Sequence, residues 1–210
     1  MKSIDSKRPR KANRRSEILQ ATEMLMRSRG LSGVTTREIS RAVGCSEAAL
    51  YVHFKGRLEL LLAMLEESLP GMLRPLEALK ESVGRGSPQA NLRRALGGIF
   101  SFHKRIVPAT AGLFAEPGLL AAYRNSLKRE SKGPHLSMRV LEDYIRAEQQ
   151  LGRIEMHVEA ELAACLMMSA SFYRAFVEQF FGSKLQPAWN VFAERLVLSL
   201  VAEAALDSKK

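Results

Sequence analysis

The sequence predicts an all-α fold, and three observations carry this prediction. Apolar residues recur three or four positions apart, as on one face of a helix, through most of the 210 residues. Residues typical of helix caps border several of these stretches, and no stretch alternates between apolar and polar residues as a half-buried strand does. Because 46% of the residues are hydrophobic, the chain can bury a core, and its length suits one large domain or two modest ones.

The segment 35–57 predicts two short helices joined by a tight turn. Thr35 and Thr36 are hydroxyl residues of the kind that cap a helix N-terminus, and Gly44 can adopt the left-handed conformation that ends a helix. Ser46 provides a second N-cap directly after this stop. Two capped helices this close together are typical of a helix-turn-helix, whose second helix can enter the major groove of DNA.

Proline and glycine residues set most of the other predicted helix ends. Ser87 and Pro88 predict a helix start with a serine cap and a proline at the first helical position. Pro70 is expected to end or kink the helix that reaches it, and Pro108 is expected to end its helix. Residues 1–13 are polar and basic, so we expect a disordered arm. The helices outside the helix-turn-helix are expected at residues 14–30, 57–69, 72–83, 88–107, 109–115, 117–128, 134–151, 159–181 and 187–206.

Positive charge is concentrated in residues 1–57. This segment carries 13 Lys or Arg residues against 5 Asp or Glu residues, whereas the remainder carries 19 against 17. A basic N-terminal region predicts a polyanionic partner such as nucleic acid, and a solvated basic face is the alternative. We expect a cytoplasmic location, because the first residues form no apolar signal segment and the longest uncharged run, residues 162–173, is shorter than a membrane span.

The segment 14–57 resembles the DNA-binding domain of the TetR family of bacterial transcriptional regulators. The resemblance rests on residue types at fixed spacing, namely Thr35, Thr36, Arg37, Ile39, Gly44, Ser46, Leu50, Tyr51, His53, Phe54, Gly56 and Arg57. It implies a basic arm (1–13), a helix-turn-helix DNA-binding domain (14–56) and a larger helical domain for ligand binding and dimerisation (57–210). Ala49 stands where the family usually has Thr or Ser, so the resemblance puts one hydroxyl contact with phosphate in doubt.

Five residues are expected at the DNA backbone. Tyr51, Lys55 and Arg57 place a phenol and two cations around the end of the recognition helix, the second helix of the helix-turn-helix, and both their types and the resemblance make them phosphate contacts. The Thr36 hydroxyl, at the start of the preceding helix, is expected to donate to phosphate. His53 either contacts phosphate or packs within the domain, and both options stay open.

Four residues are expected at the base edges. Arg37 can donate to the O6 and N7 atoms of guanine. Glu47 is acidic and faces a polyanion, so it is expected either to accept a hydrogen bond from cytosine N4 or to pair with Arg37 or Arg41. Ala48 and Ala49 would allow close approach and contacts with thymine methyl groups.

The last two predicted helices carry apolar or small residues over most of their circumference. A pair of such helices either forms the centre of one subunit or packs against an identical pair. The resemblance favours the second option, a homodimer through these two helices. Polar residues interrupt the apolar stripes, so an apolar pocket for a small lipophilic effector is also expected, with ordinary helix packing as the alternative. The candidate lining residues are Phe100, His103, Met138, Tyr144, Ser169, Phe172 and Tyr173.

The function that these predictions favour is a sequence-specific DNA-binding regulator, a repressor that a small effector releases from a palindromic operator. The alternative is an architectural or scaffolding DNA-binding protein with the same fold and no effector. No nucleotide-binding loop, metal-ligand spacing or catalytic set is apparent, so neither enzyme activity nor a cofactor is expected. Cys45 and Cys165 are expected to be small buried hydrophobic residues, and redox sensing is the alternative.

Overall fold

A computed structural model describes residues 9–31, 33–129 and 133–201. These residues form helices α1 Pro9–Arg29, α2 Thr36–Val43, α3 Glu47–Tyr51, α4 Arg57–Glu81, α5 Pro88–Gly112, α6 Pro117–Arg129, α7 Pro134–Gln150, α8 Ala160–Phe181 and α9 Trp189–Leu200. A single turn of 3-10 helix, Leu113–Ala115, lies between α5 and α6. Within the described ranges no strand occurs, and the predicted all-α fold is confirmed.

The chain divides into two compact units. The N-terminal unit comprises Met1–Glu67 with Pro108–Ser126, and the C-terminal unit comprises Ser68–Val107 with Leu127–Lys210. Helices α4, α5 and α6 therefore each contribute residues to both units. The predicted domain limit after residue 56 lies inside the N-terminal unit. The sequence pattern carries no signal that a distant segment joins the first helices, so the extent of this unit could not be predicted.

The core of the N-terminal unit unites the first four helices with Leu113 of the second segment. Its fully buried residues include Ile18, Leu19, Leu31, Val34, Ile39, Leu50, Phe54, Leu60, Leu61 and Leu113. Gly112 lies so close to Leu31 that an added Cβ atom would be 2.5 Å from the Leu31 Cβ atom. A residue without a side chain therefore lets the end of α5 approach the connection after α1.

Helix α1 begins at Pro9, five residues before the predicted start at Arg14. Residues 9–13 are thus helical, and the prediction that they belong to a disordered arm is wrong. Proline is favoured at the first helical position, where its missing N–H group leaves no hydrogen bond unmade. The rest of the predicted arm, residues 1–8, lies outside the described residues.

Two predicted helix ends at proline are also wrong. Pro70 lies inside α4 together with Pro75, and Pro108 lies inside α5. A proline removes one backbone hydrogen bond and normally interrupts a helix. Close packing opposes this effect here, because a Cβ atom added to Gly98 of α5 would be 2.4 Å from Pro75 Cγ and 2.9 Å from the Gly71 carbonyl oxygen.

The C-terminal unit has a separate apolar core. It is built from one face each of α4, α5, α7, α8 and α9, and its most deeply buried residues include Leu76, Leu79, Leu92, Leu96, Ile99, Leu141, Tyr144, Ile145, Met167, Val197 and Val201. Helix α9 ends at Leu200. The predicted extension to residue 206 falls on residues 202–210, which lie outside the described residues.

Helix α8 turns its small residues inward. Ala160, Ala163, Ala164, Ser171 and Ala175 are buried, whereas the large residues of the opposite face are exposed. Its length and mean hydropathy would by themselves permit a membrane span. The helix also carries two buried charged residues, and they pair with each other: Arg174 Nε lies 3.1 Å from Glu178 Oε1. Such pairing is what charges packed within protein require.

Candidate nucleic-acid interface

Helix α2 begins and ends at the residues that the sequence predicts. The Thr35 side chain accepts a hydrogen bond from the backbone N–H of Glu38, and the Glu38 carboxylate accepts one from the backbone N–H of Thr35, which forms a capping box. The hydrogen bond from the Thr35 backbone is the main cause that lowers the pKa of Glu38. At the other end, Gly44 adopts the left-handed conformation with φ 69° and ψ 40°.

Helix α3, the recognition helix, follows this turn directly. Its N-cap Ser46 accepts a hydrogen bond from the Ala49 backbone N–H (3.1 Å). Leu50 and Phe54 are buried and fix the inner side of the segment. The outer side therefore faces solvent: Ala48 is exposed, and 49% of Tyr51 is accessible. Val52, which the sequence patterns did not single out, is 69% exposed at the end of α3.

Two predicted contacts are exposed cations. Arg37 at the start of α2 and Lys55 after α3 are both exposed, and within the described part of the chain neither side chain takes part in an ion pair. The backbone N–H of Lys55 donates to Glu59 Oε2 (2.6 Å), which holds the connection to α4 in place. Both cations are thus free to contact DNA.

The remaining predicted contacts lie on or beside the same helix. Ala49 is partly buried, as is His53, whose ring centroid is 6.5 Å from that of Phe54. The His53 backbone N–H donates to the Leu50 carbonyl oxygen (2.9 Å), which continues the helical turn. The ring of His53 contacts Phe54 and is also partly accessible, so both predicted roles stay open.

Glu47 contacts Thr36, whereas Arg37 or Arg41 was the partner expected within the protein. Its carboxylate Oε2 accepts a hydrogen bond from Thr36 Oγ1 (3.0 Å), and Thr36 Oγ1 lies 3.4 Å from the Tyr51 hydroxyl. No ion pair with Arg37 or Arg41 is found among the described residues. Three predicted DNA contacts are therefore connected to each other in the free protein.

Arg57, a predicted phosphate contact, is engaged inside the N-terminal unit. Its Nη2 atom donates to the Leu31 carbonyl oxygen and to Glu116 Oε1, both at 2.6 Å. Its side chain is 33% exposed and that of Glu116 is 22% exposed. Glu116 lies 59 positions further along the chain, so no local pattern indicates this partner.

Two arginines support the helix-turn-helix from α1, and sequence reasoning missed both. Arg14 Nη1 donates to the carbonyl oxygen of Val43 (3.1 Å), at the C-terminal end of α2, where a cation is favoured by the helix dipole. The Arg15 guanidinium lies 5.1 Å from the centroid of the Phe54 ring. Part of the positive charge near the N-terminus therefore stabilises the domain rather than contacting a partner.

The predicted effector pocket is only partly assembled in the C-terminal unit. His103 is 5% exposed, its Nδ1 atom lies 2.9 Å from Ser171 Oγ, and its ring lies perpendicular to that of Phe172 with the centroids 5.6 Å apart. Burial lowers the pKa of His103 to about 4. Phe100 stacks on Trp189 with ring centroids 4.0 Å apart. These contacts are those of a packed core with one neutral histidine.

The other predicted pocket residues lie elsewhere, and this corrects the predicted lining. Tyr144 is buried and accepts a hydrogen bond from Asn91 Nδ2 (3.0 Å), and burial raises the pKa of Tyr144 to about 12. Met138 packs partly buried against the main core. Ser169 and Tyr173 are exposed, because they follow the outer face of α8.

Two depressions lie on the surface of the C-terminal unit. Their volumes are about 490 and 280 Å³, and neither is lined by a predicted pocket residue. The larger one lies between residues 87–93 and 194–201, and the smaller one between residues 157–166 and 199–200.

The two cysteines differ in burial. Cys165, expected to be buried, is exposed on the outer face of α8, and Cys45 is partly buried.

Comparisons with known proteins agree with this geometry. Residues 18–64 match the family model described as bacterial regulatory proteins, tetR family. The nucleoid occlusion factor SlmA of Aliivibrio fischeri (strain MJ11) is 44% identical over 82 residues, which are 37% of this chain and 42% of that protein. The chain thus matches about two fifths of the length of such curated relatives.

Solved structures share the fold over most of the chain. A bacterial regulatory protein in the tetR family from Rhodococcus RHA1 aligns with a TM-score of 0.63 at 20% identity and covers 91% of this chain and 98% of its own. SmeT, the repressor of the Stenotrophomonas maltophilia multidrug efflux pump SmeDEF, aligns with a TM-score of 0.65 at 20% identity and 89% coverage of each chain. The helix-turn-helix lies within the segment that matches the model of these bacterial regulatory proteins. Residues 18–64 therefore carry the segment that the TetR family of bacterial regulatory proteins shares, and the other described helices share the fold of the solved structures.

Proposed function

We propose that this protein is a sequence-specific transcriptional repressor that binds a palindromic operator as a homodimer in the cytoplasm. The observation that carries the proposal is the helix-turn-helix, whose recognition helix α3 is exposed on its outer side between two exposed cations, Arg37 and Lys55. Base edges in the major groove and phosphates beside it are the partners that such a surface fits.

The outer face of α8 supports the homodimer. Eight large apolar residues that are 40–72% exposed lie on this helix and on α9, namely Leu162, Leu166, Phe172, Tyr173, Phe176, Phe180, Phe181 and Leu198. Exposed apolar residues grouped on one helix favour association, and a two-fold axis lets the same surface meet its own copy. In such a dimer the two α3 helices would enter successive major grooves, roughly 34–36 Å apart.

Helices α5 and α6 could transmit the effect of an effector to the helix-turn-helix in the N-terminal unit. Its second segment, Pro108–Ser126, contains the end of α5 and most of α6, and both helices continue into the C-terminal unit. Within the N-terminal unit this segment contacts the start of α4 through the Arg57–Glu116 ion pair. An effector that changes the position of α5 or α6 would therefore change the helix-turn-helix, provided that it binds the two states with different affinities.

A comparison of two alanine variants tests the DNA-binding proposal. Arg37→Ala should relax base preference at one position of the site by about 1–3 kcal/mol, because a bidentate contact with guanine is lost. Lys55→Ala should weaken binding to all sequences equally. It should also reduce the magnitude of the slope of log affinity against log salt by about one, as expected for the loss of one phosphate contact. Titration of labelled duplexes at several salt concentrations measures both effects, and equal effects of the two variants on every sequence would contradict the assignment.

A second candidate function is that of an architectural DNA-binding protein without an effector. The 44% identity with a nucleoid occlusion factor over 82 residues favours it. Many weakly related sites and no ligand that releases the DNA would support this candidate. One defined operator and a small molecule that lowers operator affinity would support the repressor.

A further inference from the structure

Three side chains connect α2 to α3 on the surface that the proposed function places against DNA. Thr36 Oγ1 donates to Glu47 Oε2 at 3.0 Å, and the Tyr51 hydroxyl lies 3.4 Å from Thr36 Oγ1. A threonine hydroxyl has one hydrogen and an ionised carboxylate has none. While Glu47 accepts the Thr36 hydrogen, Thr36 has no hydrogen left for a phosphate oxygen, and Tyr51 can only be the donor in its contact with Thr36.

The carboxylate of Glu47 also acts on DNA directly. It is the only acidic group of α3 and is partly exposed on the DNA-facing side. A negative charge held near phosphates opposes binding to every DNA sequence. The carboxylate can regain part of this loss only where a base edge offers it a hydrogen, as the cytosine N4 amino group does in the major groove.

We propose that Glu47 is a specificity-determining residue of this protein. It weakens binding to arbitrary DNA and favours sites that present a cytosine amino group to α3, while the hydrogen bond from Thr36 fixes its direction. This inference rests on the proposed function, since it concerns the same recognition helix. It assigns the Thr36 hydroxyl to Glu47 rather than to phosphate.

The first test is Glu47→Gln, which keeps the shape of the side chain and removes the charge. Affinity for a duplex of scrambled sequence should rise about three- to tenfold at low salt, and the gain should shrink as salt screens the charge. Affinity for the operator selected by the wild-type protein should rise less or fall. The ratio of operator to scrambled affinity should therefore decrease.

Glu77→Gln is the matched control, because it removes one carboxylate charge from an exposed position of α4 outside the helix-turn-helix. It should change the affinities for operator and scrambled duplexes by the same small factor. A decrease in the affinity ratio equal to that of Glu47→Gln would overturn the proposal, since a general charge effect would then explain both variants.

Thr36→Val separates positioning from phosphate contact. Under the proposal this variant lowers the ratio of operator to scrambled affinity and weakens the preference for cytosine, because Glu47 loses the hydrogen bond that directs it. If Thr36→Val instead weakens binding to operator and scrambled duplex equally, the hydroxyl donates to phosphate and the proposal is wrong. Circular dichroism melting of each variant confirms that the domain is folded.

The failure of this inference differs from the failure of the proposed function. If the wild-type protein enriches no sequence from a random pool, both are wrong. If it enriches an operator and Glu47→Gln shifts both affinities by one common factor, only the role of Glu47 is wrong. Replacement of each operator C·G pair by T·A should reduce wild-type affinity at one position per half-site more than it reduces the affinity of Glu47→Gln.

Discussion

At the scale of single residues, two adjacent glycines of α5 differ in what surrounds them. A Cβ atom at Gly98 would meet Pro75 Cγ at 2.4 Å, whereas a Cβ atom at Gly97 has no neighbour within 4 Å. Gly98→Ala should therefore lower the free energy of unfolding by about 1–3 kcal/mol through overpacking. Gly97→Ala should raise it by about 0.5–1 kcal/mol, since alanine favours the helix. Urea denaturation measures both, and equal changes would contradict the α4–α5 packing.

His103 gives the protein a predictable response to acid. Its pKa in the folded chain is lowered from 6.5 to about 4 by burial, so the unfolded chain binds a proton first as the pH falls. The stability contributed by neutral His103 is complete above pH 6.5 and decreases between pH 6.5 and 4, by about 3 kcal/mol in total. Urea denaturation at several pH values in this window measures the free energy of unfolding. In His103→Gln this free energy should decrease less steeply as the pH falls than in the wild-type protein. An unchanged slope would mean that His103 is accessible to protons.

At the scale of elements, the start of α4 is tied to the segment before α6. Glu116→Gln keeps one hydrogen-bond acceptor for Arg57 but removes the charge, and should lower the free energy of unfolding by about 1–2 kcal/mol, because the pair is partly buried. Glu194→Gln is the control, since its pair with Arg93 is about half exposed and should contribute less than about 0.5 kcal/mol. Equal effects of the two variants in thermal melts would contradict a special role for Glu116.

Much of the helix-turn-helix could be predicted from local sequence. The caps Thr35 and Ser46 and the stop at Gly44 depend on residues within a few positions, so a single sequence reveals them. The uninterrupted α4 and the partner of Arg57 could not be predicted, because they depend on Gly98 and on Glu116, each more than twenty positions away. The positions of the pocket residues could not be predicted either, because polar residues within an apolar stripe do not reveal which face of α8 turns inward.

At the scale of the whole molecule, the proposed partner of the basic N-terminal residues is DNA, and the proposed partner of the exposed α8 face is a second copy of the chain. Tyr173 is 66% exposed on α8, so its replacement does not disturb the core of one subunit. Tyr173→Arg should convert the dimer to a monomer, because it places a charge without a partner in an apolar interface. Gln150→Arg, at an exposed position of α7, should leave the dimer intact. Sedimentation velocity measures the masses, and a dimeric Tyr173→Arg would exclude the α8 face as the interface.

In the function proposed above, the protein binds a specific DNA sequence as a symmetric dimer. The most direct measurement is selection from a pool of randomised duplexes with the purified protein, repeated at two salt concentrations. We expect enrichment of one palindrome whose half-sites lie about one helical turn apart, at both concentrations. Retention that depends on salt without enrichment of any sequence would contradict it, because backbone contacts alone would then explain the binding.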